Sequence, residues 1–182
     1  MPRVPVICLM MQIRLLTAAD TETYAELRLE SLTLEQEAFS SSVEQHRNLT
    51  VDDLKSRLGP NSENFVFGAF DGTRLVGTAG FFREKGAKTQ HKGHVWGVYV
   101  AHPARGQGVG RSLMQAVLQR AAQIEGIEQV QLSVTDTQTA AGGLYRSLRF
   151  EPYGLERKAL KVGGRYLDEE FMALFFNSRP AP

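Results

Sequence analysis

Val95-Trp96-Gly97-Val98-Tyr99-Val100, followed by Arg105-Gly106-Gln107-Gly108-Val109-Gly110 and then by Val109, Leu113, Met114, Val117, Leu118 and Ala121 at helical spacing, is the stretch that decides the fold. It reads as strand, glycine loop, helix. Three alternating glycines remove every Cβ that would keep a ligand off the backbone, and the amides they bare lead straight into a helix N-terminus. Aligned peptide dipoles add partial positive charge there. Arg105 and Arg111 bracket the loop with fixed charge, so a pyrophosphate is its natural occupant.

The spacing narrows the choice of phosphate ligand. A nucleotide-hydrolysing loop ends in Gly-Lys-Ser/Thr, whereas Gly110 is followed by Arg111-Ser112. A dinucleotide fingerprint wants its third glycine at Arg111 and an acidic residue ending the next strand, but Val130-Gln131-Leu132-Ser133-Val134 carries none before Asp136. What remains is Arg-x-x-Gly-x-Gly after a strand. At Arg105, Gly108 and Gly110 this resembles the acyl-coenzyme A signature of the GNAT superfamily of N-acetyltransferases. A second block, Gln138-x-x-Ala141-x-x-Leu144-Tyr145-x-x-x-Arg149-Phe150, is similar to the family's Asn-x-x-Ala-x-x-Leu-Tyr-x-x-x-Gly-Phe. Ala141, Leu144, Tyr145 and Phe150 match. Gln138 keeps the amide one methylene further out, and Arg149 stands where the family places a helix-ending glycine of positive φ. In element order the resemblance runs from about Gln12 to Phe176.

Size and charge agree with one such domain. The chain has 182 residues and is 42% hydrophobic, enough to bury a full core. Its 21 Lys and Arg against 20 Asp and Glu leave no basic excess to draw it to nucleic acid or an anionic membrane, so the expected partners are small or weakly charged. The single cysteine, Cys8, permits no internal disulfide, and no Cys/His cluster has zinc spacing; a cytoplasmic location and no metal are the expectations. Residues 1–10 read as an N-terminal extension, disordered or upstream of a true start at Met10 or Met11, and residues 11–176 as a single domain with 177–182 a frayed tail.

The expected order is mixed α/β. Ile13–Leu16 reads as a strand, and Thr17–Leu32 as a helix capped at Thr17 or Asp20. Glu35–Asn48 reads as polar and irregular. Val51–Leu58 is a helix capped by Thr50 and stopped by Gly59-Pro60. Phe65–Phe70 and Leu75–Phe82 form a hairpin around Asp71-Gly72. After the cofactor strand and its helix come a strand at Val130–Val134, a helix around Ala140–Leu148, and closing strands near Leu155–Val162 and Arg165–Phe176. The resemblance implies a largely antiparallel twisted sheet flanked by helices, whose fourth and fifth strands splay apart so that the cofactor arm lies in the V. Period-two burial of Phe171 to Phe176 would cover both faces of the last strand, as core or as the interface of a homodimer.

The resemblance also implies the chemistry. Acetyl-CoA is the co-substrate and an amine, small-molecule or peptide, the acceptor. The amine must be neutral, the carbonyl polarised and the leaving sulfur stabilised. The backbone of Val98, Tyr99 and Val100 would face the thioester and pantetheine amides, with Arg105, Gly106, Gln107, Gly108, Val109, Gly110 and Arg111 around the diphosphate and Gln138 along the arm. Tyr145, whose phenol has an ordinary pKa of about 10, matches the tyrosine that protonates the departing sulfur; the alternative is a helix-face aromatic packed on the sheet. Some relatives carry a basic Glu eleven positions before the signature, a place held here by His94. Strand alternation puts His94, Trp96, Val98 and Val100 on one face, while the competing reading of His94 is a polar strand start, with a water chain, Glu84 or Glu30 as base. The loop holding Glu35, Glu37, Phe39 and Glu44, and the turn Lys161–Arg165, wall the acceptor pocket in the family. Glu37 and Phe39 are the candidates for the amine, and a solvated acidic face the alternative. A non-catalytic acyl-CoA sensor with the same loop is the rival function.

Overall fold

The computed structural model describes residues 11–58, 61 and 63–176. The expectations for residues 1–10, Gly59-Pro60 and the tail lie outside them. Seven strands, β1 (Gln12–Leu15), β2 (Asn64–Asp71), β3 (Arg74–Arg83), β4 (Lys92–Val100), β5 (Gln129–Thr135), β6 (Glu151–Val162) and β7 (Arg165–Phe175), form one sheet ordered β1-β2-β3-β4-β5-β7-β6. Every neighbouring pair is antiparallel except β4 with β5. The helices are α1 (Thr21–Leu34), α2 (Val43–Arg47), α3 (Val51–Leu58), α4 (Val109–Ala121) and α5 (Thr139–Ser147), with single 3-10 turns at Ala18–Asp20, Gln36–Ala38 and His102–Ala104.

Helical spacing in α4 predicts its buried stripe: Val109, Leu113, Met114, Val117 and Ala121 all lie in the core. Each large member stabilises by roughly 1.5–3 kcal/mol relative to exposure. The helix covers one face of the sheet. A Cβ added at Gly77 of β3 would touch Leu113 at 3.0 Å, whereas the next residue, Thr78, pairs with Tyr99, whose hydroxyl reaches α1 on the other face. α3 is capped as expected, with Asp53 N–H donating to Thr50 Oγ1 at 3.1 Å and Thr50 N–H to Asp53 Oδ2 at 2.8 Å.

Four expectations change. The entry helix is split at Asp20: Thr17 starts a 3-10 turn and Asp20 is the N-cap of α1. The stretch after Glu35 is not all irregular, because Ser42 and Gln45 close a reciprocal capping box on the short α2, with Ser42 N–H to Gln45 Oε1 at 2.8 Å. The β2–β3 turn is Gly72-Thr73, with Asp71 and Arg74 still paired and Gly72 at φ +61. In β7, Met172 and Ala173 are buried but Phe175 is 63% exposed, so the strand is not covered to its end.

Candidate active site

The loop after β4 has the backbone that the glycines require. Gly106 lies at φ +75 and Gly108, the N-cap of α4, at φ +79. A Cβ at either would meet nothing within 4 Å, so conformation, not crowding, demands glycine, and the space above the loop is open. Gly110 is the reverse case: its Cβ would stand 3.3 Å from Leu144 Cδ2, so it lets α4 approach α5. The helical ladder begins with Ser112 N–H donating to Gly108 O at 3.0 Å. The amides of Gly106 to Arg111 precede that first rung and, with the helix dipole, suit an anion.

The two arginines flank the loop with part of their donors already used. Arg105 donates through Nε to Val100 O at 2.8 Å and through Nη2 to Glu35 Oε1 at 2.7 Å; Arg111 Nη2 donates to Ser147 Oγ at 2.7 Å. Burial works to raise the pKa of Glu35, but hydrogen bonds from Arg105 and His102 outweigh it and hold the carboxyl below its ordinary value. Glu35, read as part of an acidic acceptor wall, instead ties the end of α1 to the glycine loop through Arg105.

β4 and β5 pair only from Lys92–Gln129 to His94–Gln131 and then part. This is the expected splay. Two adjoining cavities occupy it. The larger, about 380 Å³, is bordered by Val98, Tyr99, Val100, Arg105, Gly106, Gly108, Val109, Gly110, Arg111, Gln138 and Tyr145, among others. Gln107 stays off it, its side-chain amide donating to Pro103 O at 3.0 Å. The smaller, about 190 Å³, reaches from Phe39 on the α1 side to Ser133 and Glu169 on β5 and β7. Val98, Gln138, Ala141 and Tyr145 border both, so Tyr145 stands where the two meet. Burial pushes its phenol above the usual tyrosine range, which keeps the proton on oxygen. Its ring lies edge-on to Phe150, with centroids 6.1 Å apart.

A β-bulge re-aims β4. Gly97 has φ +61, and register slips between Thr78–Tyr99 and Gly80–Trp96, so two residues, Gly97 and Val98, face the single Ala79. The even-numbered residues therefore do not share a face. A Cβ at Gly80 would touch Trp96 on the α1 side, while Val100 Cγ2 lies 3.7 Å from a Cβ on Gly110 of α4. His94 precedes the bulge, where β4 is still paired on both sides. Its Nε2 lies 2.7 Å from Glu84 Oε1, its ring stacks on Phe82 with centroids 5.0 Å apart, and it borders neither cavity. The His94 hydrogen bond holds the Glu84 carboxyl below its ordinary value. Glu30, the other alternative base, accepts from Tyr99 Oη at 2.9 Å; burial first, then Glu30, pushes that phenol up.

Of the two expected acceptor contacts, Phe39 borders the smaller cavity and Glu37 does not. Glu37 pairs with Arg165 at the β6–β7 turn, and its carbonyl accepts from Thr135 Oγ1 at 2.8 Å. The structure adds residues that the sequence reading passed over: Arg28, Trp96, Ser133 and Glu169. Arg28 carried a signal, a charge on the buried side of α1 beside Tyr24, Leu27, Ser31 and Leu32.

An anion-binding loop at the mouth of a cleft between parting strands, with a buried phenol at its inner end, defines a site for a phosphate-tailed acyl carrier. The model of the acetyltransferase (GNAT) family matches residues 27–150, and the chain belongs to that family. Acetyl-CoA is accordingly its acetyl donor, and the loop suits an anionic group: the space over Gly106 and Gly108 is open and its amides lie outside the helical ladder. Among curated proteins it is 36% identical over 86 residues to the L-methionine sulfoximine/L-methionine sulfone acetyltransferase of Pseudomonas paraeruginosa, covering 47% of this chain and 49% of that one. It is also 36% identical over 102 residues to the N-alpha-acetyltransferase RimI of Mycobacterium tuberculosis, covering 56% and 61%. The matches thus span about half to three fifths of those relatives. In fold it is similar to a GNAT-family acetyltransferase of Streptococcus pneumoniae (TM-score 0.83, 18% identity, 91% of this chain and 99% of that one) and to yncA of Salmonella typhimurium, solved with its cofactor acetyl-CoA (TM-score 0.79, 22% identity, 94% and 97%). Among the described residues no helix is long and apolar enough to cross a membrane, and no three His, Cys, Asp or Glu side chains cluster as metal ligands.

Proposed function

We propose that this chain moves an acetyl group from acetyl-CoA to a primary amine by direct attack with both substrates bound. The observation that carries the reading is the position of Tyr145, on the shared wall of the cavity beside the glycine loop and a smaller second one. The amides of Gly106 to Gly110 hold the diphosphate, while β4 backbone from Val98 to Val100, freed by the splay, and Gln138 hold the pantetheine arm. Bound acetyl-CoA supplies the thioester: the acceptor nitrogen forms the new C–N bond, the C–S bond breaks, the sulfur leaves as thiolate and takes a proton, and the nitrogen gives one up. Tyr145, kept protonated by burial, donates to the leaving sulfur in this reading. Among the described residues Glu169 is the one carboxylate on the smaller cavity, where Ser133 Oγ donates to it at 2.9 Å, which supports it as the group that draws the proton from an ammonium. His94 lies off both cavities and serves no step here.

The curated relatives are named for a small-molecule acceptor and for N-alpha acetylation, which supports an amine acceptor in this chain. Mixing the protein with acetyl-CoA and a panel of amines tests the reading. Amine-dependent thiol release is the expected result; tight acetyl-CoA binding with no release for any amine would make the protein a sensor instead. The reading also carries a homodimer, supported by the exposed Tyr153, Leu155, Tyr166 and Phe175 of β6 and β7, and a cytoplasmic location, supported by the single cysteine.

A further inference from the structure

Among the described residues Arg28 is the one strong charge buried without a counterion at the acceptor side of the cleft. Its residue is 8% exposed, and Nη1 is fully enclosed with no hydrogen-bond partner among the described residues. A guanidinium offers five donors, and enclosing one with its donors unmatched is costly enough that proteins rarely do so without a use for it. Among the described residues no carboxylate pairs with it, and the hydroxyl of its neighbour Tyr24 is likewise without a hydrogen-bond partner. Glu30, two residues on, is engaged by Tyr99, and Glu37 pairs with Arg165. The neighbouring Arg57 adds to the positive potential. Phe39 covers one face of the guanidinium, its ring centroid 4.4 Å from Cζ, which fixes the plane of the fork. Arg28 is part of the wall of the 190 Å³ cavity. Gly97 lies directly against the guanidinium, since a Cβ there would come within 3.9 Å of Nη1.

The same cavity is bordered by one carboxylate, Glu169, and reaches the acetyl-transfer junction at Tyr145. A cation at one wall and an anion at another match a molecule that bears both charges. We infer that the acceptor is a small amino carboxylate, a free amino acid or close derivative, whose carboxylate is held by Arg28 while its amine faces Tyr145 and Glu169. This rests on the acetyl-transfer reading above and names its substrate class. A cavity of about 190 Å³ is below the range of roughly 300–1,000 Å³ for drug-sized ligands, which favours a compact acceptor. Polyamines and aminoglycosides lack the anion that Arg28 needs, and a protein N-terminus has no carboxylate next to its amine.

The test compares free L-amino acids with their carboxamides and their decarboxylated amines at saturating acetyl-CoA. The wild type should favour the carboxylate by at least about 30-fold in kcat/KM, the scale expected when one partner of a buried charge pair is removed. Arg28→Met, similar in reach but uncharged, should abolish the preference by raising KM for the amino acid, with KM for acetyl-CoA unchanged; Arg28→Lys should keep part of it. Equal rates for acid and amide in the wild type would overturn the inference and leave the transferase reading standing. Trp96, the single tryptophan, borders the same cavity and gives a readout independent of turnover. With coenzyme A present, its fluorescence should titrate with the N-acetyl amino acid and not with the corresponding amide. That result in the absence of any turnover would sustain the carboxylate site and remove the transferase reading; an identical response to acid and amide would remove the carboxylate site even if Arg28 variants fail to fold.

Discussion

Arg149→Gly should stabilise the protein. Arg149 ends α5 at φ +70, with Leu148 N–H donating back to Leu144 O at 3.1 Å and Phe150 N–H to Tyr145 O at 3.1 Å, a left-handed cap in which glycine is the usual residue. An L-residue pays about 1–2 kcal/mol for that conformation, and glycine recovers it less about 0.5–1 kcal/mol of extra chain entropy in the unfolded state. The arginine side chain is exposed and has no ion pair among the described residues, so its loss subtracts little. The net gain is about 0.5–1 kcal/mol, or roughly 1–4 °C in Tm for a domain of this size. Arg149→Val, with a β-branched carbon at the same φ, should move Tm the other way. Differential scanning calorimetry of the three proteins decides it. A glycine variant that melts below the wild type would mean that the arginine is held there by an interaction that outweighs the backbone strain.

Gly108→Ala places a Cβ at φ +79, costing about 1–2 kcal/mol of stability and weakening acetyl-CoA binding, while Gly110→Ala keeps an ordinary φ, meets Leu144 Cδ2 at 3.3 Å and should change binding far less. Thermal melts with calorimetric titration of acetyl-CoA separate the two, and equal losses would remove the cradle argument. Tyr145→Phe should lower kcat by about 10²–10⁴-fold with the acetyl-CoA Kd unchanged; an unaltered chemical step in single-turnover assays would end the acid assignment. Asp20 is held at a pKa of about 2, chiefly by hydrogen bonds from Arg14 at 2.7 and 2.9 Å. A folded pKa below the unfolded one stabilises above the unfolded value and is lost as pH falls through the folded one, so the ion pair contributes at pH 6 and fades between about pH 4 and 2. Asp20→Asn should cost about 1 kcal/mol at pH 6, discounted because Arg14 is 38% exposed. The gap to wild type in urea denaturation should close near pH 2, and a constant gap would show that Asp20 acts only as a cap.

The glycine loop was legible because its determinants are local: Gly106 and Gly108 take the positive φ that their sequence context demands, and the apolar spacing of α4 follows directly. α2 was overlooked although Ser42-x-x-Gln45 is a capping signature, because five residues carry too little periodicity to stand out. The bulge had a signal in Gly97, an isolated glycine inside a strand, and missing it put His94 and Val100 on one face when they belong to two. The charges are where local reading fails. Glu35 and Glu37 looked like one acidic patch, yet Arg105 and Arg165, 70 and 128 positions away, claim them separately. Arg28 meets Phe39 and Gly97 only once α1 lies across the sheet.

Calorimetric titration of the folded protein with coenzyme A and with pantetheine, which lacks the diphosphate, tests the central claim most directly. Coenzyme A should bind and pantetheine should bind at least about tenfold more weakly, with the difference lost in Gly108→Ala. Equal affinity for the two, or no uptake of coenzyme A at all, would contradict the assignment of the loop between β4 and α4 as the holder of the diphosphate.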